Sequence, residues 1–261
     1  MKSIRHSIFR ILVLVIILGL GGCVWLRLLE VKHQLAEFDE HFRVEVAADK
    51  YFVLHLLQPV LLSEDFVYLT KLNPSRVTTL PRGYRWFLDF RKDPAPSRVQ
   101  GEKNLVFAMS FTPNHKLAAF HFSPLFLEMA PPAFLEASIR SLGLGKVDQG
   151  KQQLKVDPED LPKLAEKLPS QKAILDVLGT PAEQFTQDDL TVLVYRFKAE
   201  AAPVEPEYEK RRMAEAKLYF DPAKDELVRL AGRFVGLKLA IDYRKLTQKS
   251  EKAIDTAARE N

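Results

Sequence analysis

Apolar residues along the chain follow helical and alternating rhythms that predict its elements in order. Between Leu26 and Phe42, Leu28, Leu29, Val31, Leu35 and Phe38 sit among Glu30, Lys32, Glu37 and Asp39, the spacing of an amphipathic helix. Such a helix docks on a folded body or lies near a membrane, and docking is the favoured role. Residues 43–57 are rich in β-formers (Val44, Val46, Tyr51, Phe52, Val53) and predict one or two short strands. Ser63 reads as an N-cap before Glu64 and Asp65; Phe66, Leu69 and Leu72 then share a helical face, and Pro74 forces the exit. Tyr84, Trp86, Leu88 and Phe90 alternate with Arg85, Asp89 and Arg91, which predicts a strand with one buried face. A polar loop over 92–104 precedes a β-hairpin, 105–111 and 117–122, about a turn at Pro113 and Asn114. Residues 125–142 are apolar and helical, interrupted at Pro131 and Pro132.

The second half runs through the same order. A short strand is expected at 153–156, a helix from Pro158 capped by Asp157, and a second short helix from Ser170 to Leu178, stopped by Gly179 and Pro181. Strands at 191–198, 216–220, 227–234 and 237–243 follow, and 245–261 reads as a frayed helix or tail. The halves also align residue by residue. Leu62 and Leu72 match Leu168 and Leu178 at a separation of 106; Pro74 and Phe90 match Pro181 and Phe197 at 107. Phe111 matches Phe220 at 109, and Leu117 matches Leu227 at 110. One extra residue at Gly179 accounts for the first step, and a slowly rising separation marks a duplicated unit with small loop insertions. The expected fold class is α+β: two tandem small units, each a short helix or helix pair packed on an antiparallel sheet. The expected units are 48–145 and 146–245, with a polar tail at 246–261.

Ahead of them, Lys2, Arg5 and Arg10 form a positive segment, and residues 11–20 an apolar one of signal-peptide length. It closes on Leu20-Gly21-Gly22-Cys23, which resembles the bacterial lipoprotein lipobox. The resemblance implies a signal peptide over 1–22, removed at Cys23, whose thiol carries a diacylglyceryl group and whose new N-terminus is acylated. Residues 23–47 would then be a lipidated N-terminus and tether helix. More than one acyl chain suffices for stable anchoring, at about 0.8 kcal/mol per buried CH₂. Val24 stands where lipoproteins retained at the inner membrane carry Asp, which favours the outer membrane, facing the periplasm. The alternative is an uncleaved single-pass anchor: Val24, Trp25 and Leu26 lengthen the apolar run to about sixteen residues, short of the ~20 a span needs. Both outcomes put the folded part outside the cytoplasm.

Composition narrows the function. The chain has 261 residues, 47% hydrophobic and 28% charged, an ordinary globular balance. Three of its 38 basic residues lie in the N-terminal segment; the remaining 35 face 34 acidic ones, so the positive net charge is no nucleic-acid footprint. Cys23 is the only cysteine, which excludes an internal disulfide.

Helix, then Leu178-Gly179 and Pro181, a strand carrying Tyr195 and Phe197, a polar loop, then Phe220-Asp221 at a hairpin: this order resembles the small outer-membrane lipoproteins of the SmpA/OmlA type. Those are accessory subunits of the β-barrel assembly machinery, and their fold is shared by tandem β-lactamase inhibitor proteins. The resemblance implies a protein-binding or assembly role in the envelope.

Residues of catalytic type form no familiar constellation. The six histidines (His6, His33, His41, His55, His115 and His121) lack zincin spacing, and no phosphate loop or nucleophile elbow occurs. Asp188-Asp189 and Glu64-Asp65 sit where turns and helix starts explain them. The expectation is a non-enzymatic envelope lipoprotein without cofactor or metal, bound to the membrane through its lipid and to a protein partner, and not to nucleic acid. An inhibitor-like or small-ligand module stands as the alternative.

Overall fold

The alternation along Tyr84–Phe90 becomes the longest strand of the computed structural model, which describes residues 24–47, 51–93, 104–148, 153–155, 164, 167–200, 204–234 and 237–247. Helix α1 spans residues 24–36 and, after a turn at Glu37, the short α2 (Phe38–His41) leads into a β-hairpin, β1 (Phe42–Ala47) and β2 (Tyr51–Leu56). Helix α3 (Ser63–Thr70) is followed by β3 (Arg76–Leu80), β4 (Gly83–Asp93), β5 (Leu105–Phe111) and β6 (Leu117–His121). Two helices, α4 (Pro124–Leu127) and α5 (Pro132–Leu144), flank the proline pair, and β7 (Lys146–Asp148) pairs with β8 (Gln153–Lys155) as a separate ribbon. Then come α6 (Gln171–Leu178), β9 (Glu183–Gln187), β10 (Leu190–Ala199), a 3₁₀ segment (Pro206–Arg212), β11 (Met213–Asp221), β12 (Glu226–Phe234), β13 (Leu237–Asp242) and α7 (Tyr243–Thr247).

Eleven strands form one antiparallel sheet, in the order β1-β2-β6-β5-β4-β10-β11-β12-β13, with β3 beside β4 and β9 beside β10. The class is therefore α+β. Inward-facing residues of each strand (Leu88 and Phe90, Phe107 and Met109, Tyr195 and Phe197, Leu218 and Phe220) bury one face. Phe126, Phe134, Ile174, Leu178 and Tyr243 from α4 to α7 complete the same cluster, and Phe66 of α3 packs against it. Apolar burial at roughly 25 cal/mol per Å² drives this two-layer arrangement.

The sheet reads alike in both directions from its middle. Strands β4 and β10 meet about the pair Arg91–Lys198, residues 107 positions apart. Trp86 lies opposite Val77 in β3, and Leu193 lies opposite Gln184 in β9, both also 107 apart. On the other side Trp86 faces Met109 and Leu193 faces Leu218, a separation of 109 between the β5 and β11 residues. A β-bulge interrupts the next ladder at Ser110/Phe111 and again at Tyr219/Phe220. Phe111 then pairs Leu117, and Phe220 pairs Leu227. Both helices have eight residues, but they stand 108 positions apart rather than the 106 at which Leu62 and Leu168 align. The loop after α6 is accordingly one residue shorter than its counterpart, so no extra residue sits at Gly179.

Other expectations need correcting. Ser63 is the first helical residue and Leu62 holds the N-cap position; the Asp65 carboxylate accepts the Leu62 N–H at 2.9 Å. The helix expected from Ser170 starts at Gln171, with Ser170 as its N-cap, accepting from the Ala173 N–H at 3.1 Å. Strands β3 and β9 are additions to the sequence expectation. The tether stretch 23–47 already contains the first strand of the sheet. The helix expected from Pro158 and the tail beyond 247 lie outside the described residues.

Helix α1 docks on the body. The guanidinium of Arg27 clamps the buried Asp65 carboxylate, with Nε 2.6 Å from Oδ2 and Nη2 on Oδ1. Gln34 Nε2 donates to the carbonyl of Gln58 at 3.1 Å. Where α1 crosses α5, a Cβ on Gly143 would lie 2.1 Å from the Leu35 carbonyl oxygen, so only glycine allows the approach.

Candidate functional site

Every described helix from α3 to α7 packs on one face of the sheet, and among the described residues no helix covers the other. Strand parity decides what that open face carries, since successive side chains point to opposite sides. From β4 come Arg85, Phe87, Asp89 and Arg91; from β10 Val192, Val194, Arg196 and Lys198; from β11 Glu215, Lys217 and Tyr219.

Over the β10 side the face is a lattice of opposite charges on a small apolar floor. Arg196 pairs with Glu183 at 2.5 Å and with Glu215 at 3.2 Å, and Lys217 reaches Glu215 at 3.6 Å. Arg91 pairs with Glu200 across the seam between the halves. Beneath them Val192, Val194, Tyr219 and Val228 form a buried cluster, with the Arg229 guanidinium 4.4 Å above the Tyr219 ring. The exposed Phe185 stands opposite Val192. Exposed pairs of this kind contribute only about 0–1 kcal/mol each to stability. An apolar floor under a charged, aromatic rim is instead what a partner surface needs.

Over the β2–β6 side the face is stitched by histidines. His55 Nε2 lies 2.8 Å from Glu45 Oε2 on the neighbouring strand. Arg85 Nε donates to Ser110 Oγ at 3.0 Å, and that hydroxyl lies 3.2 Å from His121 Nε2. Burial, then the charges of Arg85 and His55, push His121 down to about 4. A neutral imidazole beside a serine hydroxyl has the layout of a nucleophile and base. A base that weak abstracts a proton poorly near neutral pH, so the contact serves as a cross-strand link.

This link makes stability pH-dependent. Folded His121 stays neutral while the unfolded chain takes up its proton near pH 6.5. Its contribution is thus fully present above about pH 6.5 and is lost as pH falls toward 4. After discounting for partial exposure, a loss of about 1–2 kcal/mol is expected over that window. Urea midpoints at pH 7 and pH 4.5 should fall further for the wild type than for His121→Gln; equal falls would remove His121 from the account.

The remaining groups fall elsewhere. The Tyr84 hydroxyl lies 3.0 Å from Ser63 Oγ and 2.8 Å from His115 Nδ1, on the helix-covered side. His33 is exposed on α1 and His41 lies 3.3 Å from Glu37. Glu37, Glu40 and His41 are the described group whose ligand atoms gather within 4.8 Å, but they sit on the rim of a four-residue helix where solvation suffices. A shallow groove of about 490 Å³ runs between α2, β1 and α5, with Val44 and Val46 on its floor and Arg140 held by Asp39 and Glu136 at its edge. The Asp39 carboxyl is held below its ordinary value by the hydrogen bond and charge of Arg140. Asp188 and Asp189 form the positive-φ turn of the β9–β10 hairpin.

Leu20, Gly21, Gly22 and Cys23 lie outside the described residues, which start at Val24 in α1. Among the described residues no helix is long and apolar enough to cross a membrane. The Gly179 and Pro181 of the proposed lipoprotein pattern border the α6–β9 loop, where the Tyr195 hydroxyl donates to the Gly179 carbonyl at 2.9 Å. Burial raises the Tyr195 pKa and keeps that donor protonated. Sequence reasoning missed the seam residue Lys92, whose Nζ donates to the carbonyls of Leu178 and Thr180, each at 2.6 Å.

The chain matches no protein family, and no curated protein or solved structure is significantly similar to it.

Proposed function

We propose that this protein is a non-enzymatic cell-envelope lipoprotein, anchored through Cys23, that receives a protein partner on the open face of its sheet. The observation that carries the proposal is the one-sided packing of the described helices α3 to α7, which leaves on the other face a charged surface at the β4–β10 seam and the exposed Phe185 beside it. The tandem arrangement belongs to the same reading: α3 to β6 and α6 to β12 are taken as two copies of one unit. Matching registers, matching bulges and equal helix lengths support it. The resemblance to SmpA/OmlA-type lipoproteins makes envelope assembly the favoured process, and the outer membrane the favoured site. A small-ligand module is the second reading, with the groove at Arg140 in its favour.

Two experiments test this separately. Cys23→Ala, or treatment with a lipoprotein signal peptidase inhibitor, should abolish palmitate incorporation; a label that persists removes the anchor. Capture of a stoichiometric partner from solubilised envelope should weaken about tenfold in Arg196→Glu, because reversing a rim charge slows association. Thermal stability should change little, since Arg196 is an exposed pairing residue. Capture that ignores the reversal moves the partner off this face.

A further inference from the structure

Helix α1 has two faces, and the structure accounts for one of them. Its inner side is fixed by Arg27 on Asp65, Gln34 on Gln58 and the Leu35–Gly143 crossing. Its outer side over the first two turns presents Trp25, Leu26 and Leu29, which are 53%, 67% and 55% exposed. These positions share one helical face by their three- and four-residue spacing. The one cation in the same turns, Arg27, is drawn inward to its carboxylate, so the outer stripe carries no charge until Glu30.

We propose that this stripe is seated in the head-group boundary of the lipid bilayer, which makes α1 a clamp between membrane and body. The occupant follows from the chain that precedes it. The apolar run over 11–20 leaves only three residues before Val24, so either fate of that run, cleavage at Cys23 or retention as an anchor, delivers Val24 to the membrane surface. No spacer follows. At 1.5 Å per residue Leu29 lies only about 8 Å along the helix from Val24, within the roughly 5–10 Å to which an interfacial helix sinks its apolar face when inclined to the surface. Tryptophan is also the side chain best suited to that boundary, apolar in its ring and polar at its N–H. The body is therefore held against the bilayer in a fixed orientation rather than swinging on a leash. The inference rests on the membrane anchor proposed above.

The chain has two tryptophans, Trp25 and Trp86, so Trp86→Phe isolates the signal. The difference between wild type and Trp25→Phe gives the same signal without touching the core. Full-length protein purified from membranes is reconstituted into phosphatidylcholine/phosphatidylglycerol vesicles, some carrying brominated acyl chains. Trp25 emission should shift to the blue, with about twofold stronger quenching by bromines high on the chain than by bromines near its end. Leu26→Ser/Leu29→Ser should lose the shift while the protein still floats with the vesicles. A floating protein whose Trp25 is quenched by aqueous iodide and not by brominated lipid overturns the seating and leaves the anchor intact. Shielding from both quenchers assigns the stripe to another protein surface and overturns it too. A chain that does not float removes anchor and seating together.

Discussion

Lys92→Ala is expected to lower the unfolding free energy by about 3 kcal/mol, the combined cost of one orphaned buried carbonyl, one part-buried carbonyl and a cavity. Lys92 is 4% exposed and belongs to β4, yet both its acceptors, Leu178 and Thr180, belong to the turn that ends α6. The Leu178 carbonyl is one that an α-helix leaves unpaired at its C-terminus, where partial negative charge also accumulates, and the Thr180 carbonyl follows it in the turn. One side chain thus closes the seam between the halves from below, while the Tyr195 ring stands 5.2 Å from the same Nζ. Lys92→Met separates the effects: it keeps the stem's packing and removes the donor, so about half the loss should remain. Urea denaturation followed by tryptophan fluorescence and by far-ultraviolet circular dichroism reads both. A Lys92→Ala midpoint equal to that of the wild type would mean that the α6 turn finds water or another donor.

Lys92 also marks where sequence reasoning stopped short. The inward parity of Tyr84, Trp86, Leu88 and Phe90 continues two residues on to Lys92, but a charged residue before a proline-containing stretch reads as the start of a loop. Strands β3 and β9 escaped for a related reason. Residues 76–79 and all of Glu183–Gln187 are exposed, so they carry no buried face to impose an alternation. Their pairing is dictated by the two-residue turns, Pro81-Arg82 and Asp188-Asp189, and by the long strands waiting beside them. The proposed helix alignment differs by two residues from the spacing of the two N-caps, Leu62 and Ser170, because leucines were matched to leucines. Phe111 with Phe220 and Leu117 with Leu227 kept their offsets, because residues at a bulge are tied to their register. Of the open face, sequence supplied the parity of Arg85, Asp89 and Arg91. It could not supply which strands lie side by side, so the His55–Glu45 and Ser110–His121 contacts were out of reach.

Asp65→Ala is expected to cost about 3 kcal/mol and to loosen α1 from the body. Its carboxylate holds two things at once: the Arg27 guanidinium from α1 and the Leu62 N–H at the start of α3. Asp65→Asn keeps an acceptor for the Leu62 N–H and removes the charge, so it should cost less, about 2 kcal/mol. Arg27→Ala leaves the buried carboxylate with its cap alone and should cost a similar amount, although Arg27 is 28% exposed on its own side. The double variant should then be less destabilised than the sum of the two singles by about 1–2 kcal/mol, the signature of residues that act as a pair. Limited trypsin digestion adds a local readout, because Arg27 and Lys32 become cleavable only when α1 leaves its seat. Under the proposed anchoring at Cys23, the loosened helix would still hold the body at the membrane while its proposed fixed orientation is lost. An Asp65→Ala protein with wild-type digestion kinetics would show that Gln34 and the Leu35–Gly143 contact hold α1 by themselves.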